Sequence, residues 1–284
     1  MTTGSCLCGA VRYEIDGPFS AMVNCHCSMC RKEHGTEFAT FAVAPAEGFR
    51  WLAGEDRVAN YASSPQGGRS FCRSCGSALP SVIPGMQVVV APAGNLEGDP
   101  GLSPQMHIFV GSRLPGYEIT DDLPQYQEAP PEWGLPNVTR PAVEATTPEA
   151  VPGSCLCGAM AWEVEGPPAL MMSCHCSRCR RARAAAYATN AFYRLDQFRW
   201  IRGEDMADSY KVPDAQFFTQ SFCRTCGSPA PRLLEKFNRA MVPVGAMDAD
   251  PGARPTAHIF VGSKASWDRI TDDIPQFEEM IPRG

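Results

Sequence analysis

Basic charge is in short supply: the 284-residue chain has 25 lysines and arginines against 31 aspartates and glutamates, a net charge of −6 at neutral pH. Nucleic acid and anionic membranes both reward clustered positive charge, so neither is expected as a partner. A long apolar run is missing too. The one long uncharged stretch, Ser74 to Leu96, is broken by Pro80, Pro84, Gly85, Pro92 and Gly94, and its later counterpart carries Arg232, Glu235 and Lys236. A membrane-spanning helix does not tolerate that density of breakers, so the stretch reads as buried strand in a soluble protein. The start shows no positive segment followed by an apolar core, so no signal peptide is expected and a cytoplasmic location is.

With 26 prolines and 25 glycines, loops and turns should be plentiful and long helices few. The apolar fraction, 44%, and the charged fraction, 20%, are those of a globular chain. Fourteen cysteines stand out. A reducing cytosol argues against a disulfide framework, and the spacings are those of metal ligands.

The chain is written twice. Gly4-Ser5-Cys6-Leu7-Cys8-Gly9 returns as Gly153-Ser154-Cys155-Leu156-Cys157-Gly158. Cys25-His26-Cys27-Ser28-Met29-Cys30-Arg31 returns as Cys174-His175-Cys176-Ser177-Arg178-Cys179-Arg180. Phe71-Cys72-Arg73-Ser74-Cys75-Gly76 returns as Phe222-Cys223-Arg224-Thr225-Cys226-Gly227, His107-Ile108-Phe109-Val110-Gly111-Ser112 returns from His258, and each half closes on Ile-Thr-Asp-Asp, at Ile119 and Ile270. The offset is 149 residues up to Asp56 and Asp205 and 151 from Cys72 and Cys223 onward, which places a two-residue insertion around Val212 to Ala215. All fourteen cysteines fall in matched motifs, so this is a domain-sized duplication rather than a solenoid.

The expected domains are 1–127 and 153–284. Between them, 128–152 holds Pro130, Pro131, Pro136, Pro141, Pro148 and Pro152, an extended linker able to pack through Trp133 and Leu135. Ala10 to Ile15 and Ala159 to Val164 near-alternate like half-buried strands; Gln87 to Ala91 and Ala240 to Gly245 are short apolar runs flanked by Pro and Gly. Helical candidates are short, such as the segment after Cys179. Each half reads as mainly β.

Four thiolates around one ion form the closed tetrahedron of structural zinc. In an extended segment residues i and i+2 face the same way, so Cys6 and Cys8 can offer both sulfurs to one ion. Cys72 and Cys75 span a tight turn that Gly76 suits. A shared ion would tie the start of the domain to its late strands, and Cys155, Cys157, Cys223 and Cys226 repeat the arrangement. Zinc is the expected metal, with iron the alternative. Cys25, Cys27 and Cys30, like Cys174, Cys176 and Cys179, are three thiolates with no obvious fourth cysteine. Three ligands and an open position mark a catalytic zinc, which could bind a thiol or polarise a carbonyl. The alternative is that these cysteines sit reduced and empty.

His26 and His175 lie between ligand cysteines, so their rings should point away from the metal into a supporting or surface role. His107 and His258 precede an apolar strand and read as core histidines, with a proton-carrying role as the alternative. His34 has no counterpart histidine, which excludes it from a shared mechanism.

The order Gly-Ser-Cys-x-Cys-Gly, Cys-His-Cys-x-x-Cys-Arg, Arg-x-Phe-Cys-x-x-Cys-Gly-Ser resembles the glutathione-dependent formaldehyde-activating enzyme family, which includes the centromere protein V domain. The resemblance covers both halves except the linker. It implies two tandem Mss4-like zinc-binding β-sheet domains and a second zinc on the Cys-His-Cys-x-x-Cys motif. It also implies a carbon–sulfur lyase-type activity resembling S-(hydroxymethyl)glutathione synthase: glutathione, as co-substrate, adds to formaldehyde or another small aldehyde. Carried over, Cys25, Cys27 and Cys30 hold the catalytic ion, as do Cys174, Cys176 and Cys179.

The halves depart from the pattern unequally. The first has Arg31-Lys32-Glu33-His34-Gly35, close to the family's Cys-Arg-Lys-x-x-Gly; the second has Arg180-Arg181-Ala182-Arg183-Ala184, and Arg69 becomes Gln220. Chemistry is therefore expected in the first half. Arg31, Lys32 and Arg69 are candidate contacts for glutathione's carboxylates, or plain solvated charges. Against the enzyme stand a non-catalytic tandem binding module, and a cytoskeletal or chromatin module disfavoured by the acidic balance. The halves either pack as a pseudo-dimer or sit as independent beads.

Overall fold

The computed structural model describes residues 1–65, 67–83, 85–135 and 140–282; Pro84 and Pro136, two of the breakers named above, lie outside them. Mainly β is what the structure shows. Two α-helices occur among the described residues, α1 (Ser28–His34) and α2 (Ser177–Arg183), amid short strands in small sheets. Neither is long and apolar enough to cross a membrane.

Each half opens with a three-stranded antiparallel sheet: Thr2–Ser5, Arg12–Ile15 and Phe49–Ala53 in the first, Ala150–Ser154, Ala161–Glu165 and Phe198–Arg202 in the second. The middle strands are more deeply buried than near-alternation suggests. Glu14 and Glu163, expected to face water, are 6% and 1% exposed because Arg50 and Arg199 lie over them as ion-pair partners. Ala150–Ser154 begins three residues before the expected domain start, and Pro152 is accommodated because this is an edge strand.

The larger sheet carries the start of the three-cysteine motif. Ala21–Cys25 lies between Ala39–Pro45, antiparallel, and the short parallel strand His107–Ile108. Leu170–Cys174 sits likewise between Ala188–Tyr193 and His258–Ile259. The uncharged stretch supplies Ser81–Ile83 and Val88–Pro92 to this sheet, with Val89 and Ala91 fully buried. The insertion lies in the turn between Ala207–Lys211 and Thr219–Cys223, where Val212 and Ala215 are buried.

Contacts between the halves come in matched pairs. Lys32 donates to the Ser154 carbonyl (3.2 Å) and hydroxyl (2.5 Å) and pairs with Asp248 at 2.6 Å. Its counterpart Arg181 donates to Ser5 (3.1 Å) and pairs with Glu97 at 3.2 Å. A Cβ on Gly94 would fall 2.2 Å from the Ala185 nitrogen, and one on Gly245 would fall 2.0 Å from the Thr36 oxygen; only glycine admits so close a backbone approach. Leu114 is buried in the core of the second half, and Ala265 and Trp267 in the core of the first. Tyr61 packs on the cluster that holds Cys155, Cys223 and Cys226, as Tyr210 packs on the cluster of Cys6, Cys72 and Cys75. Thr120 and Thr271 bond each other directly at 2.5 Å. These contacts are reciprocal: where residue i of one half meets j of the other, the equivalent of j meets the equivalent of i.

Candidate metal centres

Cys6 follows the first strand directly, and the chain then turns: the Gly9 amide bonds the Cys6 carbonyl at 3.1 Å, with Gly9 at φ 72°. The Cys6 and Cys8 sulfurs come to 3.4 Å through this turn rather than through the extended segment expected. Cys72 ends the strand Gly67–Cys72 and Cys75 lies in the next turn, closed by the Gly76 amide on the Cys72 carbonyl at 2.9 Å. Gly76 sits at φ 73°, and a Cβ there would also meet the Phe222 ring at 2.3 Å, so the glycine serves both the turn and the contact between halves.

The four sulfurs lie within 4.8 Å of one another, with Cys8 and Cys72 at 3.8 Å. A tetrahedron of thiolates about 2.3 Å from one ion has edges of about 3.8 Å, so the donor set fits a single metal. The Val11 amide donates to Cys6 Sγ at 3.4 Å, which suits a thiolate. Cys155, Cys157, Cys223 and Cys226 repeat all of this, with Cys157 and Cys223 at 3.7 Å and the Met160 amide on Cys155 Sγ.

Cys25 ends its strand and Cys27 caps α1, its sulfur accepting the Cys30 amide at 3.3 Å. Cys176 caps α2 in the same way through the Cys179 amide at 3.4 Å. This capping starts the helix ahead of Cys179, not after it, and gathers three sulfurs on one turn. Each trio lies within 4.8 Å, and no fourth cysteine, histidine or carboxylate joins it among the described residues. The three donors fit a tetrahedral ion with one position left for another molecule. All fourteen cysteines are free of disulfides.

His26 does point away from the sulfurs. Its Nε2 meets His107 Nδ1 at 2.8 Å, and His107 Nε2 meets the Asp121 carboxylate at 3.0 Å. With Asp121 accepting from His107 Nε2–H, His107 Nδ1 is the acceptor and His26 Nε2 the donor. Burial pushes the His26 imidazole down to about 3, helped by the nearby Arg31 charge, so it is neutral. His175, His258 and Asp272 form the same chain, at 2.9 and 3.1 Å. Asp121 and Asp272 were not singled out as site residues in the sequence; the signal was there in the Ile-Thr-Asp-Asp that closes each half. His34 stands at the boundary between halves, its Nδ1 2.6 Å from the Arg183 carbonyl.

Of the three candidate glutathione contacts, Arg31 and Lys32 are buried and Arg69 is partly buried, and all three are engaged with protein. Arg31 donates to the Ser112 and Gly245 carbonyls at 3.3 and 3.1 Å. Lys32 is held by Ser154 and Asp248; burial pushes its pKa down against the pull of Asp248. Arg69 pairs with Glu33 and reaches Cys30 Sγ at 3.5 Å.

Two β-rich halves, each with a closed four-sulfur cluster and an open three-sulfur cluster where a strand meets a helix, define a tandem protein built on cysteine clusters able to hold metal ions. The chain belongs to the glutathione-dependent formaldehyde-activating enzyme family, whose model matches residues 1–112 and 150–263. The second match starts where the strand Ala150–Ser154 starts. A crystal structure of a Rhodobacter sphaeroides protein is 32% identical, covering 37% of this chain and 91% of that one, with a TM-score of 0.28.

Proposed function

We propose that this protein is a zinc-dependent enzyme of carbon–sulfur chemistry that adds a glutathione-type thiol to formaldehyde or another small aldehyde. The observation that carries the reading is the pair of three-thiolate clusters with no fourth ligand among the described residues, in a chain whose two halves both match this family. Zinc at such a cluster supplies Lewis acidity, which lowers the pKa of a thiol or polarises a carbonyl oxygen. Cys25, Cys27 and Cys30, or Cys174, Cys176 and Cys179, hold it. The His–His–Asp chains fix the polypeptide between the first two sulfurs of each trio, so the ligands keep their aim. In the addition the thiol sulfur bonds to the aldehyde carbon, the C=O π bond breaks, and the thiol proton ends on the new hydroxyl. The four-cysteine clusters hold structural zinc, domains 1–127 and 153–284 pack as a pseudo-dimer across the 128–152 linker, and the free thiols suit the cytoplasm.

One observation favours a second reading, a non-catalytic tandem binding module. Arg31, Lys32 and Arg69 are occupied by protein groups and so are poorly placed to receive a substrate's carboxylates. Exchange spectroscopy on glutathione and ¹³C-formaldehyde at equilibrium separates the two. An enzyme raises the exchange rate above that in buffer and loses this in Cys27→Ser or Cys176→Ser; a rate equal to buffer with four zinc ions per chain rules the enzyme out.

A further inference from the structure

The two trios have the same motif and the same capping geometry, yet they meet solvent differently. Cys25, Cys27 and Cys30 are 4%, 5% and 4% exposed, whereas Cys174, Cys176 and Cys179 are all partly exposed. The difference lies in what covers them. After Glu128, whose carbonyl accepts from the Phe109 amide at 3.1 Å, the chain continues over the first trio. Ala129 and Trp133 pack on the cluster of Cys25, Cys27, Cys30 and Phe109, and Pro130 is buried. The turn Pro131–Trp133 is closed by the Trp133 amide on the Pro130 carbonyl at 3.0 Å, so a proline-set backbone aims the indole. Beyond it, the Arg140 amide donates to Ser28 Oγ at 3.1 Å, and its guanidinium to the Ser63 carbonyl at 2.6 Å and Tyr61 at 3.3 Å. The linker is thus fastened on both sides of the N-terminus of α1.

The second half keeps the first fastening, the Phe260 amide on the Glu279 carbonyl at 3.0 Å, but Met280, which matches Ala129, is 55% exposed. The cations on α2 also differ from those on α1. Arg178 is 42% exposed beside Asp214, and Arg180 is only partly buried, with a buried Nε that makes no hydrogen bond.

We propose that residues 129–133, with Arg140, are a built-in cover over the first three-thiolate cluster. The open coordination position reached from solvent is then the one at Cys174, Cys176 and Cys179, where Arg180, whose Nε has no partner among the described residues, selects an anionic small thiol. This reverses the expectation, drawn from motif completeness, that the first half carries the chemistry. The assignment of that chemistry rests on the function proposed above; the cover does not.

The test is the rate of alkylation of each cysteine in the full-length, as-purified protein, with peptide mapping by mass spectrometry and metal content measured in parallel. Thiolate reactivity follows access, so with iodoacetamide the second trio should react at least about tenfold faster than the first. In Trp133→Ala or Arg140→Ala the first trio should accelerate to within about threefold of the second, while Cys72 and Cys75 stay slow. Iodoacetate, the anionic reagent, should gain on iodoacetamide at the second trio alone and lose that gain in Arg180→Ala. Equal rates for the two trios in the unaltered protein, or a first trio still protected in both variants, overturns the cover. An iodoacetate-to-iodoacetamide ratio unchanged in Arg180→Ala overturns the anionic selection. Because the readout is chemical modification, failure of the cover and absence of formaldehyde turnover are distinguishable results.

Discussion

Replacing Asp248 by Asn removes the carboxylate that faces Lys32 across the boundary between halves. The side chains of this pair are 2% and 4% exposed and 2.6 Å apart, and among the described residues the ammonium's other partners are the Ser154 carbonyl and hydroxyl. Breaking a buried pair from one side strands the remaining charge and costs about 3–5 kcal/mol. The internal repeat supplies the control. Arg181 and Glu97 occupy the equivalent positions at 3.2 Å, but their side chains are 36% and 33% exposed, so water screens the pair. Glu97→Gln should therefore cost about 1 kcal/mol or less. In urea, with a slope near 3 kcal/mol/M at the upper end of the small-protein range, Asp248→Asn moves the midpoint down by about 1–2 M and Glu97→Gln by about 0.3 M or less. Removing both charges, in Lys32→Met with Asp248→Leu, should recover most of the loss, since apolar replacement of a buried pair is often neutral. Equal shifts for Asp248→Asn and Glu97→Gln, or a double variant as weak as the single, would refute the reasoning.

Gly94→Ala and Gly245→Ala place a methyl 2.2 Å from the backbone of Ala185 and 2.0 Å from that of Thr36; since backbone cannot step aside, each should cost about 3 kcal/mol or more, read as a fall in urea midpoint. Burial alone would raise the Glu163 pKa, but bonds from the Thr146 hydroxyl at 2.6 Å, from Arg199 and from the Thr146 amide at 3.0 Å hold it below its ordinary value. A lowered carboxyl pKa contributes stability that is present above the unfolded value near 4.5 and is lost as pH falls through the folded one, so Glu163→Gln should be less stable at pH 7 and show a flatter loss of thermal midpoint on acidification below that value.

Much of this was legible in the sequence because cysteine spacing and duplication are discrete signals. The four-sulfur clusters, the trios and the two mainly β halves follow from motifs that repeat with no cysteine left over. What stayed hidden depends on distance across the fold. Asp121 and His26 are 95 positions apart in the chain, yet they end on one hydrogen-bonded path through His107. Lys32 looked like a cation for substrate because its motif is local, while its partners Ser154 and Asp248 belong to the other half. Composition reads the proline-rich linker as a spacer able to pack through Trp133 and Leu135, but only the fold shows that Trp133 packs on Cys25, Cys27 and Cys30 while Leu135 stays exposed. Burial of Glu14 and Glu163 escaped the alternation rule for the same reason, since arginines from neighbouring strands supply what water would.

The reciprocal seating of Leu114 in one core and Trp267 in the other has a consequence for how such a protein can change. When two identical chains pair, every residue of the contact appears twice, and any substitution is tested on both sides at once. Fusing the copies lifts that restriction. Leu114 can be large where its equivalent Ala265 is small, and Trp267 large where Gly116 is not, with each socket fitted to a single occupant. The same freedom lets Lys32–Asp248 lie dry while Arg181–Glu97 stays wet. Each copy also contributes a side chain to the other's interior. In a tandem each position of the contact occurs once, so its two faces can specialise independently.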